Sequence, residues 1–199
     1  MFCFELDNLV RAFVAIQQLP PNDPNSFFVI AGYHGEPFRG AGYANPSWWG
    51  GYCNHGNVLF PTWHRAYILR LERALQSQVP GVAIPYWDET EEFSLKNGIP
   101  PIFLQKTYTF SDNTSRTIPN PLFSYKFQAR ITDRLDPDAN YTKPVGYETV
   151  RYPFSGLVGD AESTLIHNQQ MLEKGEDVTN RILNDNIVTW LNFSSFQKQ

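Results

Sequence analysis

The stretch Tyr52-Cys53-Asn54-His55-Gly56-Asn57-Val58-Leu59-Phe60-Pro61-Thr62-Trp63-His64-Arg65-Ala66-Tyr67 carries a loop into the clearest helix of this 199-residue chain. That helix starts near Pro61-Thr62 and runs to about Gln78, where Pro80-Gly81 stops it. His64, Ile68, Leu71 and Leu75 fall at i, i+4, i+7 and i+11, so they share one face. His64 is therefore expected to point with the apolar stripe, towards the core. His55 sits in a glycine-flanked loop segment, Asn54-His55-Gly56, with Cys53 two residues before it.

Outward from this stretch, a further histidine, His34, lies in another glycine-flanked segment, Tyr33-His34-Gly35. His34, His55 and His64 are three of only four histidines in the chain, and imidazole is the commonest protein ligand for transition metals. Three neutral imidazoles suit copper or zinc, and spacing alone does not choose between them. The paired histidines of the zincin helix are absent, and no Cys-x-x-Cys pair suggests structural zinc. From Gly32 to Gly56 the chain carries seven glycines and two prolines, a long loop of the kind that is usually functional. Eleven of the thirty aromatic residues lie between Phe27 and Tyr67, enough either to wall a dry pocket or to build an aromatic-rich core.

The remaining elements follow from periodicity and breakers. Residues 4–18 read as an amphipathic helix ended by Pro20-Pro21, with Leu6, Leu9, Val10, Phe13 and Val14 at three- and four-residue spacing. Asp23 or Ser26 could cap a short helix into Phe27-Phe28-Val29-Ile30. Residues 82–88 are too brief and proline-broken for a long strand. From Glu89 to about Asp160 turn residues predict irregular structure with a small hairpin or two. Helices are expected over 161–173 and 180–193. The fold class is mainly α, in a single domain spanning 1–199.

Composition removes several classes of function. With 42% apolar and 18% charged residues the chain is globular, and a net charge of −4 leaves no basic footprint for nucleic acid. No apolar run reaches the roughly 18 residues of a membrane span. The N-terminus, Met1-Phe2-Cys3-Phe4-Glu5, has no basic and apolar leader, and two cysteines build no disulfide framework, so the expectation is a cytoplasmic protein.

Residues 52–67, followed by Glu72, resemble the first copper-binding region of the tyrosinase and polyphenol oxidase family. Ile30-Ala31-Gly32-Tyr33-His34-Gly35-Glu36-Pro37-Phe38 is similar to that family's first-ligand segment, and Val82-Ala83-Ile84-Pro85-Tyr86-Trp87-Asp88 to the element after the first-copper helix. The resemblance implies a tyrosinase-like helical-bundle core with long irregular loops and at most minor β-hairpins. It implies His34, His55 and His64 as ligands of the first copper, and a thioether crosslink between Cys53 and His55. Two coppers per complete active site would bind dioxygen between them, hydroxylate monophenols and oxidise ortho-diphenols to ortho-quinones.

The chain departs from the family pattern at the second copper. His167 opens a match to the required H-x-x-x-H pair, but Met171 stands where the second histidine belongs, and no histidine follows. His167 is thus expected to have no copper role. This chain would bind one copper and supply half of the site, in an incomplete domain whose second half comes from elsewhere, such as a second polypeptide. The alternative is a non-catalytic accessory subunit that keeps the fold without the second copper. A homodimer sharing one copper per chain is a further arrangement. Outside the family stands a mononuclear zinc hydrolase, with Glu36 as the nearest general base in sequence.

Overall fold

The computed structural model describes residues 3–35, 37–38, 40–44, 51–53, 57–87, 100–112, 115–132 and 142–149. Three α-helices dominate them: α1 (Cys3–Gln18), α2 (Phe27–Gly32) and α3 (Phe60–Gln78). Single 3₁₀ turns occur at Ala41–Tyr43 and Pro101–Phe103, and the one sheet among the described residues pairs β1 (Thr107–Thr109) with β2 (Thr117–Pro119). The mainly helical class with minor hairpins is thus what the chain adopts. The helices expected over 161–173 and 180–193 lie outside the described residues.

Two compact units divide the chain, one of Met1–Ile84 with Thr107–Thr149 and one of Pro85–Lys106 with Val150–Gln199. The first holds all three α-helices and the hairpin. In the second, the described residues are 85–87 and 100–106, with a single 3₁₀ turn.

The core of the first unit follows from the spacing of apolar residues. Leu9, Ala12 and Ile16 line one face of α1 and meet Ile30 of α2, Ala74 and Leu75 of α3, and Val82 beyond α3. Ile16, Ile30 and Leu75 are fully buried, each contributing roughly 1.5–3 kcal/mol of apolar burial. α2 has six residues, far too few to stand alone, so its caps and packing hold it. Ser26 is its N-cap, and its Oγ accepts the Val29 N–H at 3.2 Å. Phe28 seats its other side in a second cluster with Tyr125 and Ile131.

α3 is anchored at several points. Arg70 donates to the Pro24 carbonyl and, at 2.9 Å, to Asn25 Oδ1. Past its end the backbone reverses through Gly81, whose φ of 82° is strained for other residues. The Ile84 N–H then reaches the Glu72 carboxylate at 2.9 Å. Residues 82–87 consequently form no strand, as expected from Pro85. The apolar stripe of α3 is buried only at its C-terminal end. Leu75 is inaccessible and Leu71 packs on the core, whereas Ile68 is 47% exposed. The reason is that α1 and α2 cover α3 around Leu71, Ala74 and Leu75, and the stripe leaves this cover towards its N-terminal half.

β1 and β2 are antiparallel with Tyr108 opposite Ile118, and the Thr109 and Thr117 hydroxyls bond across the pair at 2.8 Å. The hairpin is tied to α1 through Asp7, which is buried. Asp7 Oδ1 accepts the Tyr108 hydroxyl at 2.6 Å, and Oδ2 accepts the Ser111 hydroxyl at 2.6 Å and its N–H at 3.1 Å. Beside it Arg11 pairs with Asp112 and stacks over Phe110, 4.2 Å from the ring centre. Isolated bridges join Lys126 to Glu148 and Ile131 to Lys143, the further small pairing that turn-rich sequence led one to expect.

Candidate metal centre

His34 sits two residues beyond the end of α2, in a turn closed by bonds from its own N–H to Ala31 O and from the Gly35 N–H to Gly32 O. The segment 51–53 runs against this turn: the Tyr52 N–H donates to Tyr33 O at 2.7 Å, and Cys53 Sγ lies 3.9 Å from His34 O. His64 comes from near the N-terminus of α3, one turn after Phe60. Elements far apart in sequence thus deliver two imidazoles to one place, with the Nε2 atoms of His34 and His64 facing each other at 3.3 Å.

The tautomer of His64 follows from its other nitrogen. Nδ1 stands 2.8 Å from the Phe60 carbonyl oxygen, which can only accept, so Nδ1 carries the hydrogen. A neutral His64 ring therefore presents the Nε2 lone pair towards His34. Two imidazole nitrogens bound to one first-row metal at roughly 2.0–2.1 Å, in near-tetrahedral geometry, would stand about 3.3 Å apart. The pair fits a shared metal ion.

Aromatic rings surround the two imidazoles. Phe60 lies 4.3 Å from the His64 ring, Trp63 4.8 Å from His64 and 5.9 Å from His34, and Tyr67 5.8 Å from His34, between centroids. Trp63 and Tyr67 are stacked at 5.0 Å. Burial pushes the Tyr67 phenol up to about 12, with the neighbouring Cys53 adding to the shift. Burial likewise raises the Cys53 thiol, which is wholly inaccessible. Both groups are therefore neutral at ordinary pH, and the surroundings of the imidazole pair are apolar.

Of the expected site residues, His34, His64 and Cys53 are brought together. His55, the third expected ligand and the partner of Cys53 in the expected crosslink, lies outside the described residues, as do Glu36, His167 and Met171. Among the described residues no group of three or more His, Cys, Asp or Glu side chains could hold a metal. The sequence reading overlooked the Phe60 carbonyl and the Trp63–Tyr67 wall. Their signal was present in the four-residue spacings Phe60–His64 and Trp63–Tyr67, which place side chains together on a helix.

A mainly helical chain sets histidines from a loop turn and a helix against each other, and sequence comparison identifies the class of domain to which it belongs. Residues 24–199 match the family model of the common central domain of tyrosinase, and the chain belongs to the tyrosinase family. It is 49% identical over 197 residues to a tyrosinase of Aspergillus oryzae, covering 96% of this chain and 35% of that protein. To a tyrosinase of Hahella sp. it is 50% identical over 200 residues, covering 95% and 36%. A solved tyrosinase from Burkholderia thailandensis matches with a TM-score of 0.67 and 54% identity over 83% of this chain and 33% of that one. The chain spans about a third of the length of the relatives it matches.

Proposed function

We propose that this chain supplies the first-copper half of a copper-dependent phenol oxidase. The observation that carries the reading is the imidazole pair: His34 Nε2 and His64 Nε2 stand 3.3 Å apart, with the His64 lone pair set by the Phe60 carbonyl. His34, His55 and His64 would hold the copper, neutral nitrogen donors suiting an ion that cycles between cuprous and cupric forms. Bound copper would supply the chemistry with dioxygen that hydroxylates monophenols or oxidises ortho-diphenols to ortho-quinones. The protein's own contribution is orientation and exclusion. The Phe60 carbonyl orients His64, and Trp63, Tyr67 and Phe60 line the imidazole pair.

Family membership supports this reading, as does the naming of the similar proteins from Aspergillus oryzae and Hahella sp. as tyrosinases. The chain has four histidines, so a second three-histidine copper site needs ligands from outside these 199 residues. Each of those relatives carries the matched region as part of one longer chain, which favours the same arrangement here over a separate polypeptide. The non-catalytic alternative rests on the same count, since three clustered histidines suffice for one copper alone.

Copper content decides the site. His64→Ala should lose bound copper while keeping its helical circular dichroism, and unchanged copper in that variant would overturn the assignment. We extend the proposal to a Cys53–His55 thioether, consistent with a free, buried Cys53 beside the His34 turn. Copper-loaded protein exposed to air should then weigh about two daltons less than its sequence mass, one hydrogen lost from sulfur and one from the ring, with dioxygen as the two-electron oxidant. Cys53→Ser should show no deficit, and full mass in the copper-loaded wild type would refute the crosslink.

A further inference from the structure

The loop that carries His34 is packed backbone against backbone, and Gly51 is where the contact is tightest. A Cβ built on Gly51 would lie 2.5 Å from Tyr33 O, 2.9 Å from Gly32 O and 2.9 Å from Gly35 N. All three are main-chain atoms of the turn that bears His34, so no side-chain rotation relieves the clash. The same segment is held from residues 40–44 as well, where the Gly42 N–H donates to Gly51 O at 2.9 Å. A Cβ on Gly42 would meet Tyr52 main-chain atoms at 3.0 to 3.1 Å. Three backbone layers, 40–44, 51–53 and 32–35, are therefore pressed together, with 51–53 in the middle.

We propose that Gly51 is a positioning residue of the metal site. Its lack of a side chain lets the segment 51–53 lie flat on the His34 turn, which admits the Tyr52–Tyr33 bond at 2.7 Å. That contact buries Cys53 beside His34 and sets where the chain leaves for His55, two residues on. Gly51, and Gly42 against Tyr52, then act through close packing. Gly35, adjacent to His34, provides the internal contrast, because a Cβ there meets nothing within 4 Å. The inference rests on the copper reading for its metal, and on geometry alone for the segment 51–53.

The test compares Gly51→Ala and Gly35→Ala in the full chain, with two readouts. In metal-free protein, the rate at which a small alkylating reagent labels Cys53, followed by peptide mass mapping, reports whether the thiol is still covered. Gly51→Ala should raise that rate at least tenfold, and Gly35→Ala should leave it within twofold. With copper as the probe, Gly51→Ala should weaken binding at least tenfold and alter the electron paramagnetic resonance spectrum of bound Cu(II), while helical circular dichroism is retained. Gly35→Ala should bind as the wild type does. Wild-type labelling and affinity in Gly51→Ala, or equal losses in both variants, would overturn the positioning role. Wild-type protein that takes up no copper would overturn the copper reading instead, and the labelling comparison would still decide whether Gly51 seats the segment 51–53 on the His34 turn.

Discussion

Asp7 carries the most heavily bonded carboxylate described in this chain, accepting from the Tyr108 hydroxyl and from both the hydroxyl and N–H of Ser111. Burial and the nearby Asp112 charge push its carboxyl up, but the hydrogen bonds from Ser111 and Tyr108 outweigh them and hold it below its ordinary value. Asp7→Asn puts an amide N–H₂ where an acceptor is needed, so it should destabilise the fold by roughly 1–3 kcal/mol, read as a lower urea midpoint. An unchanged midpoint would show that the amide satisfies the same donors. Nothing near Asp7 in sequence announces this role, because its partners lie 101 and 104 residues away. His64 is the opposite case. Its place on a helix, and its Phe60 partner four residues back, are local consequences of sequence.

Among the elements, α3 does two jobs with its two ends. Its N-terminal part holds His64, and its C-terminal half anchors the core through Ala74 and Leu75. Leu75→Ala should cost about 2–5 kcal/mol, because a wholly buried leucine between α1 and α3 leaves a cavity that close packing cannot collapse. Thermal unfolding checks this, and a loss below about 1 kcal/mol would mean that the α1–α3 contact relaxes freely. Helices of 16 and 19 residues were legible because several turns of apolar periodicity and flanking prolines agree. α2 was legible from its cap, Ser26. The burial of α3 was read less well: Ile68 matches the stripe yet is 47% exposed, since periodicity names a face without saying how far along it a neighbour extends.

For the molecule as a whole, stability should fall at both ends of the pH scale for nameable reasons. Asp7 keeps its charge in the folded chain to lower pH than in the unfolded one. Its contribution is complete above the unfolded value of about 4 and lost as pH falls through the lower, folded one. Tyr125 acts in the other direction: burial pushes its phenol up to about 12, against about 10 unfolded. Its contribution is complete below about pH 10 and lost as pH climbs towards 12. Denaturation midpoints measured across pH should show both limbs, with Asp7→Asn flattening the acid limb and Tyr125→Phe the alkaline one. An alkaline limb unchanged in Tyr125→Phe would assign it to other groups. The family, the three described helices and the histidine cluster were determined by sequence alone, because periodicity, capping and a dense ligand motif are written in neighbouring residues. Which imidazoles meet, what ties the hairpin to α1, and why Gly51 must be glycine were decided only by tertiary structure. Each depends on atoms that the chain brings together across long separations, and no local pattern of residue types encodes a distance between them.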